Sequence, residues 1–124
     1  MAFQIDRLDP VQSQFRVEVE RDGRTAVIAV SGELDLASGP ELEAQFHDIS
    51  SSDTELVVVD LRELEFMDST GLSIIVRAHQ RLTGEGCALG LVKGSPQVQR
   101  LLDLTGVADR IALVARPEEL INGH

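Results

Sequence analysis

The sequence contains no tryptophan and no tyrosine, and aromatic residues make up only 3% of its 124 positions. Platforms for stacking bases or sugar rings are therefore nearly absent, and the core has to be aliphatic. Positive charge is scarce as well: 11 Lys and Arg stand against 21 Asp and Glu, a formal charge of -10. Such a surface repels nucleic-acid phosphates and anionic lipid headgroups, so neither nucleic acid nor direct membrane contact is expected. Cys87 is the single cysteine. It excludes an internal disulfide, suits a reducing compartment and, inside the apolar run Cys87 to Val92, is expected to be an inert core thiol. No apolar stretch approaches the roughly 20 residues that cross a bilayer, and the opening MAFQIDRLDP carries acids where a signal peptide needs a basic start and an apolar segment. A cytoplasmic location is the expectation. H-E-x-x-H, paired Cys-x-x-Cys, G-x-G-x-x-G and P-loop patterns are all missing, so no metal, no cofactor and no enzymatic activity are expected.

What is present is organised around ELVVVDLRELEFMDSTGLSIIVRAHQR, Glu55 to Arg81. Leu56 to Val59 is an unalternating, mostly β-branched run, the pattern of a central strand buried on both faces. Asp60 is expected to end it. Asp68-Ser69-Thr70-Gly71 then precedes Leu72, Ile75, Val76 and Leu82, which recur at helical spacing. Asp68 is the expected N-cap, placing Ser69 at the first helical position with its hydroxyl outward.

Upstream, Phe15, Val17 and Val19 alternate with Arg16, Glu18 and Glu20, and Asp22-Gly23 supplies a tight turn before Thr25 to Val30, which predicts a hairpin. Ser38 with Glu41 has the spacing of a capping box for a helix burying Leu42, Phe46 and Ile49. Downstream, Cys87 to Val92 predicts a strand, Ser95-Pro96 a helix start with Val98, Leu101 and Leu102 as its buried stripe, Ile111 to Val114 a short strand, and Arg116 to Leu120 a terminal helical turn. Residues 1–13 have no clear period and contain Pro10, so they are expected to be an N-terminal extension or a short edge element, with a single domain at 14–122. Strands alternating with helices imply an α/β fold with a mixed, mostly parallel sheet, helices packed against it, and a leading β-hairpin. Parallel pairing of the second and third strands would bring the Asp35 loop and the Ser69 helix start to one edge, where sites in open α/β sheets sit.

Several chemistries fit that edge. Asp35, Asp60 and Asp68 could hold Mg²⁺, although each acid also has a local role in a loop, a strand end or a cap. Ser69 lacks the G-x-S-x-G context and a placed histidine of a nucleophile, His47, His79 and His124 being isolated in sequence. As a phosphate acceptor, Ser69 would gain from the helix dipole and first-turn N–H groups, so the fold should survive modification while the surface acquires about two negative charges.

The run VVVDLRELEFMDSTGLSIIV resembles the signature of STAS domains, specifically the anti-sigma-factor antagonists of bacterial partner-switching systems. The likeness extends to Gly32-Glu33-Leu34-Asp35 and to Arg100-Leu101-Leu102-Asp103-Leu104-Thr105-Gly106, covering about Phe15 to Leu120. The resemblance implies that Ser69, with Thr70 second, is phosphorylated by a cognate anti-sigma factor that is also a serine kinase. Unphosphorylated, such a protein binds that kinase and frees the sigma factor; phosphorylated it lets go, and a protein phosphatase resets it. Asp35 matches the loop aspartate used in partner contact, and Asp68, Thr70 and Gly71 match the motif around the acceptor. Met67, expected to be less buried than Phe66, is a suitable apolar contact, with core packing as its other reading.

Three other readings stay open on sequence alone. A receiver-like domain would carry labile phosphate on Asp60, a STAS scaffold or transporter-associated subunit would never be modified, and a small nucleotide-binding enzyme would turn over ATP or GTP through Asp35.

Overall fold

Leu56 to Val59 open the central strand of a five-stranded sheet in the computed structural model, which describes residues 14–122. The extension or edge element expected at 1–13, and His124, lie outside the described residues. The chain runs β1 (Arg16–Asp22), β2 (Thr25–Leu34), α1 (Gly39–His47), β3 (Leu56–Met67), α2 (Ser69–Gly84), β4 (Ala88–Val92), α3 (Pro96–Leu104), a 3₁₀ turn at Val107–Asp109, β5 (Ala112–Val114) and α4 (Pro117–Ile121). The strands lie in the order β1-β2-β3-β4-β5. β1 is antiparallel to β2 through a turn with Gly23 at φ 62, and every later pair is parallel. This is the mixed α/β sheet with a leading hairpin that the pattern implies.

Each crossover steps one strand in the same direction, so α1, α2 and α3 all cover one face. Leu42 and Phe46 of α1, Ile75 and Leu82 of α2, and Val98 and Leu102 of α3 meet Ile28, Val57, Val59 and Leu91 of the sheet in one aliphatic core. A smaller cluster of Leu56, Val58 and Val92 lies on the opposite face under Leu120 of α4. Among the described residues no helix is long and apolar enough to cross a membrane.

Asp60 does not end β3. The strand continues to Met67, running past the end of β4 paired with β2 alone. Two irregularities shape this extension: Ala29 and Ser31 face Asp60 and Glu63, and Gly32 and Glu33 face Leu64 and Phe66, so β3 carries one extra residue at each step. Such bulges break strict alternation. Inward side chains consequently come at Leu61, Leu64 and Met67, every third residue. Met67 is 5% exposed and Phe66 is 45% exposed, the reverse of the sequence expectation. Met67 therefore packs in the core.

Gly32 sits at the second irregularity with φ 85, and a Cβ there would collide with the backbone carbonyl of Gln14. Side chains other than glycine are strained in that conformation. Gly32→Ala is expected to destabilise the protein by about 2 kcal/mol or more, read as a lowered urea midpoint at unchanged slope.

Candidate functional site

The extended β2–β3 ribbon carries the Asp35 loop and the start of α2 to the same edge. The Asp68 amide donates to the Leu34 carbonyl at 3.1 Å, joining the end of β2 to the cap of α2. Gly71 is buried because a Cβ there would stand 2.6 Å from Leu34 Cγ, and a Cβ on Gly39 would meet Ile74 Cδ1 at 2.7 Å. Two bare backbones thus let α1 and α2 close against the strand ends.

Asp68 is the N-cap, as its position in the sequence predicts. Its Oδ1 accepts from the Thr70 amide at 2.9 Å and the Gly71 amide at 3.1 Å. These are the first-turn donors that a phosphate on Ser69 was expected to use, so the modification would draw on the helix dipole while the cap keeps those donors. Ser69 is exposed at the first position of α2, and among the described residues nothing hydrogen-bonds its hydroxyl. Thr70 is half-buried, with Cγ2 3.8 Å from the place of a Gly39 Cβ. The two hydroxyl-bearing residues are therefore unequal in access.

Asp35 Oδ1 accepts from the amides of Ala37 and Ser38 at 3.0 and 3.1 Å, folding the loop onto itself. The expected Ser38–Glu41 capping box does not form. Ser38 instead has helical backbone and donates its hydroxyl to the Glu33 carbonyl at 2.8 Å while accepting from the Asp35 amide, so the side chain that would cap α1 braces the loop before it. Between these polar anchors, Leu36 is 76% exposed. Together with Phe66 it gives the edge two exposed apolar side chains that sequence reasoning missed. Neither had a clear local signal: Leu36 stands with Leu34 and Ala37 in the stretch Glu33 to Ser38, and the bulges hide the orientation of Phe66.

Of the residues singled out, the fold gathers Asp35, Asp68, Ser69 and Thr70 at the surface of one edge. Met67 and Gly71 lie behind that surface and are unsuited to direct partner contact. Asp60 lies elsewhere: it pairs with Ala29 and Val92, and six residues of extended strand separate it from Met67, roughly 20 Å. Among the described residues no group of three or more His, Cys, Asp or Glu is placed to hold a metal ion. Burial pushes the Asp60 carboxyl up, but hydrogen bonds from the Arg62 side chain and amide, together with the guanidinium charge, hold it below its ordinary value. The ion pair closes at 2.7 Å. Burial likewise pushes the Cys87 thiol up, in keeping with an unreactive core cysteine.

The STAS domain profile matches residues 16–120. The chain belongs to the STAS domain family. Within it, the anti-sigma factor antagonists are its homologues. The chain is 32% identical over 105 residues to the anti-sigma-B factor antagonist of Listeria monocytogenes, covering 85% of this chain and 91% of that protein. To the anti-sigma-B factor antagonist of Bacillus subtilis it is 29% identical over 102 residues, 82% of this chain and 93% of that protein. Its fold is similar to the crystal structure of an anti-sigma factor antagonist from Mycobacterium paratuberculosis, with a TM-score of 0.81 and 27% identity over 90% of this chain and 94% of that one. The strand order of this STAS domain also departs from the 2-1-3-4-5 order of receiver-type sheets, which removes the setting that a phospho-aspartate at Asp60 would need.

Asp68→Ala removes two cap bonds and is expected to cost about 1 kcal/mol of unfolding free energy, measured by urea denaturation. Asp60 has a depressed folded pKa, so its contribution is present above the unfolded value near about 3.9 and is lost as pH falls through the folded one. Asp60→Asn should be less stable than the parent at neutral pH, with the gap closing below about pH 4, read from urea midpoints across pH.

Proposed function

We propose that this protein is a non-enzymatic anti-sigma factor antagonist of the cytoplasm whose domain spans 14–122. With Ser69 unmodified it binds a cognate anti-sigma factor that is also a serine kinase, and the bound sigma factor is released. The kinase transfers the γ-phosphoryl group of ATP to the Ser69 oxygen, leaving ADP and the hydroxyl proton, binding ends, and a protein phosphatase hydrolyses the ester with water to restore the hydroxyl and release inorganic phosphate. The observation that carries this reading is the exposed Ser69 at the first position of α2, unbonded among the described residues, on an edge shared with the Asp35 loop. The relatives from Bacillus subtilis and Listeria monocytogenes, each named an anti-sigma-B factor antagonist, support the partner class.

The contact surface comprises Asp35, Asp68, Ser69 and Thr70, with Leu36 and Phe66 as its apolar anchors in the place first given to Met67. An exposed leucine and phenylalanine beside carboxylates suit a partner with an apolar hollow rimmed by basic groups. Phosphorylation then acts at close range. A dianion on Ser69 has to be stripped of water when the partner closes over it, at a cost of several kcal/mol. About 1.4 kcal/mol already weakens affinity tenfold, so the switch requires no rearrangement of the sheet.

The test is binding to the natural anti-sigma factor by calorimetry alongside phosphate mapping by mass spectrometry. Ser69→Asp is expected to weaken binding at least about tenfold, whereas Ser69→Ala binds and accepts no phosphate. Leu36→Asp should weaken binding by a similar factor at unchanged melting temperature. Undiminished binding by Ser69→Asp, with no phosphate recovered on Ser69, would favour a constitutive STAS scaffold.

A further inference from the structure

Far from Ser69, the lower half of α2 and the 3₁₀ turn stand apart and enclose a cleft of about 390 Å³. Its floor is Val76 of α2 with Val107 and Ile111, the last two nearly fully buried. Its rim carries His79, Thr83 and Arg110. Val76, His79 and Thr83 are spaced three and four residues apart, so they form one stripe of the helix, distinct from the Ile75, Ala78 and Leu82 stripe that faces the sheet. Gly106, at φ 81, turns the chain into the 3₁₀ turn and holds Val107 to Arg110 beside that stripe without closing on it.

The volume falls in the range of small-ligand pockets, roughly 300–1,000 Å³, and an apolar floor with a few convergent polar groups is their usual make-up. The charge at the rim narrows the choice. Arg110 is exposed and, like Arg16 and Arg100, forms no ion pair among the described residues, and of these three it is the one that lines the cleft. A single guanidinium matches the planar fork of one carboxylate, and the Thr83 hydroxyl and His79 imidazole add hydrogen-bonding capacity beside it. A nucleotide would want aromatic stacking that the lining lacks. A phosphate monoester would want a second cation.

We propose that this cleft binds a small amphipathic carboxylate, its aliphatic body against Val76, Val107 and Ile111 and its carboxylate on Arg110. The site is separate from the Ser69 edge and independent of the reading given to it.

Titration of the ¹⁵N-labelled protein with sodium octanoate tests this directly. Saturable amide shifts are expected around residues 76–84 and 106–111 in the roughly millimolar range or below. Octan-1-ol, which lacks the charge, and acetate, which lacks the chain, should each bind at least about tenfold more weakly. Arg110→Glu, an exposed change that leaves the melting temperature unaltered, should weaken octanoate by the same factor. The proposal fails if shifts fall elsewhere or do not saturate, if octan-1-ol binds equally, or if Arg110→Glu leaves affinity unchanged. It also fails if the cleft amides respond to protein concentration and not to octanoate, since a second copy then occupies the cleft.

Discussion

The hydrogen bond from the Asp68 amide to the Leu34 carbonyl, backed by Gly71 pressed against the Leu34 side chain, fixes where α2 begins relative to the end of β2. Everything at the edge follows from that junction. It puts Ser69 outside the packed interior, brings the Asp35 loop to the same edge, and leaves Thr70 turned toward Gly39. The junction depends in turn on the reach of β2 and β3 beyond the remaining sheet, and on Gly32, whose left-handed backbone accommodates the irregular register there. A helix start anchored to a strand end on one side and free on the other is a rigid mount for a side chain exposed to a partner.

That arrangement separates the bonds that hold α2 in place from the exposed surface at its start. The capping bonds belong to Asp68, and the apolar contacts belong to Leu34, Ile74, Leu72 and Met67 beneath the surface. Ser69 contributes little to either. A modification there therefore changes surface charge without drawing on the interactions that hold the helix in place, and its free-energy consequence falls on whatever covers the edge. Two further features of the molecule stand apart from this edge: Asp60, locked to Arg62 partway along β3, and the cleft at the far end of α2.

Much of this was legible in the residues because the signals were local. The run Leu56 to Val59, the spacing of Leu72, Ile75 and Leu82, the Asp22-Gly23 turn, the Asp68 cap and the Ser95-Pro96 start each declare themselves within a few positions, and all appear where expected. What stayed hidden depends on pairing between distant segments. The two extra residues of β3 are defined only against β2, so alternation could reveal neither the continuation past Asp60 nor the exchange of Met67 and Phe66 between core and surface. Ser38 and Glu41 have the spacing of a capping box, but the stronger demand came from the loop, where the Ser38 hydroxyl satisfies the Glu33 carbonyl. The 3₁₀ turn after Gly106 is too short to leave a period.

Phosphate at Ser69 is proposed to alter an encounter and not a fold. Amide chemical shifts of the Ser69-phosphorylated protein, compared with the unmodified form and paired with the affinity of each for the same anti-sigma factor, test it most directly. Shifts confined to the Asp35 loop and the first turn of α2, with affinity lost, are the predicted result. Shifts spreading through β3, β4 and α3, or affinity retained after phosphorylation, would contradict it.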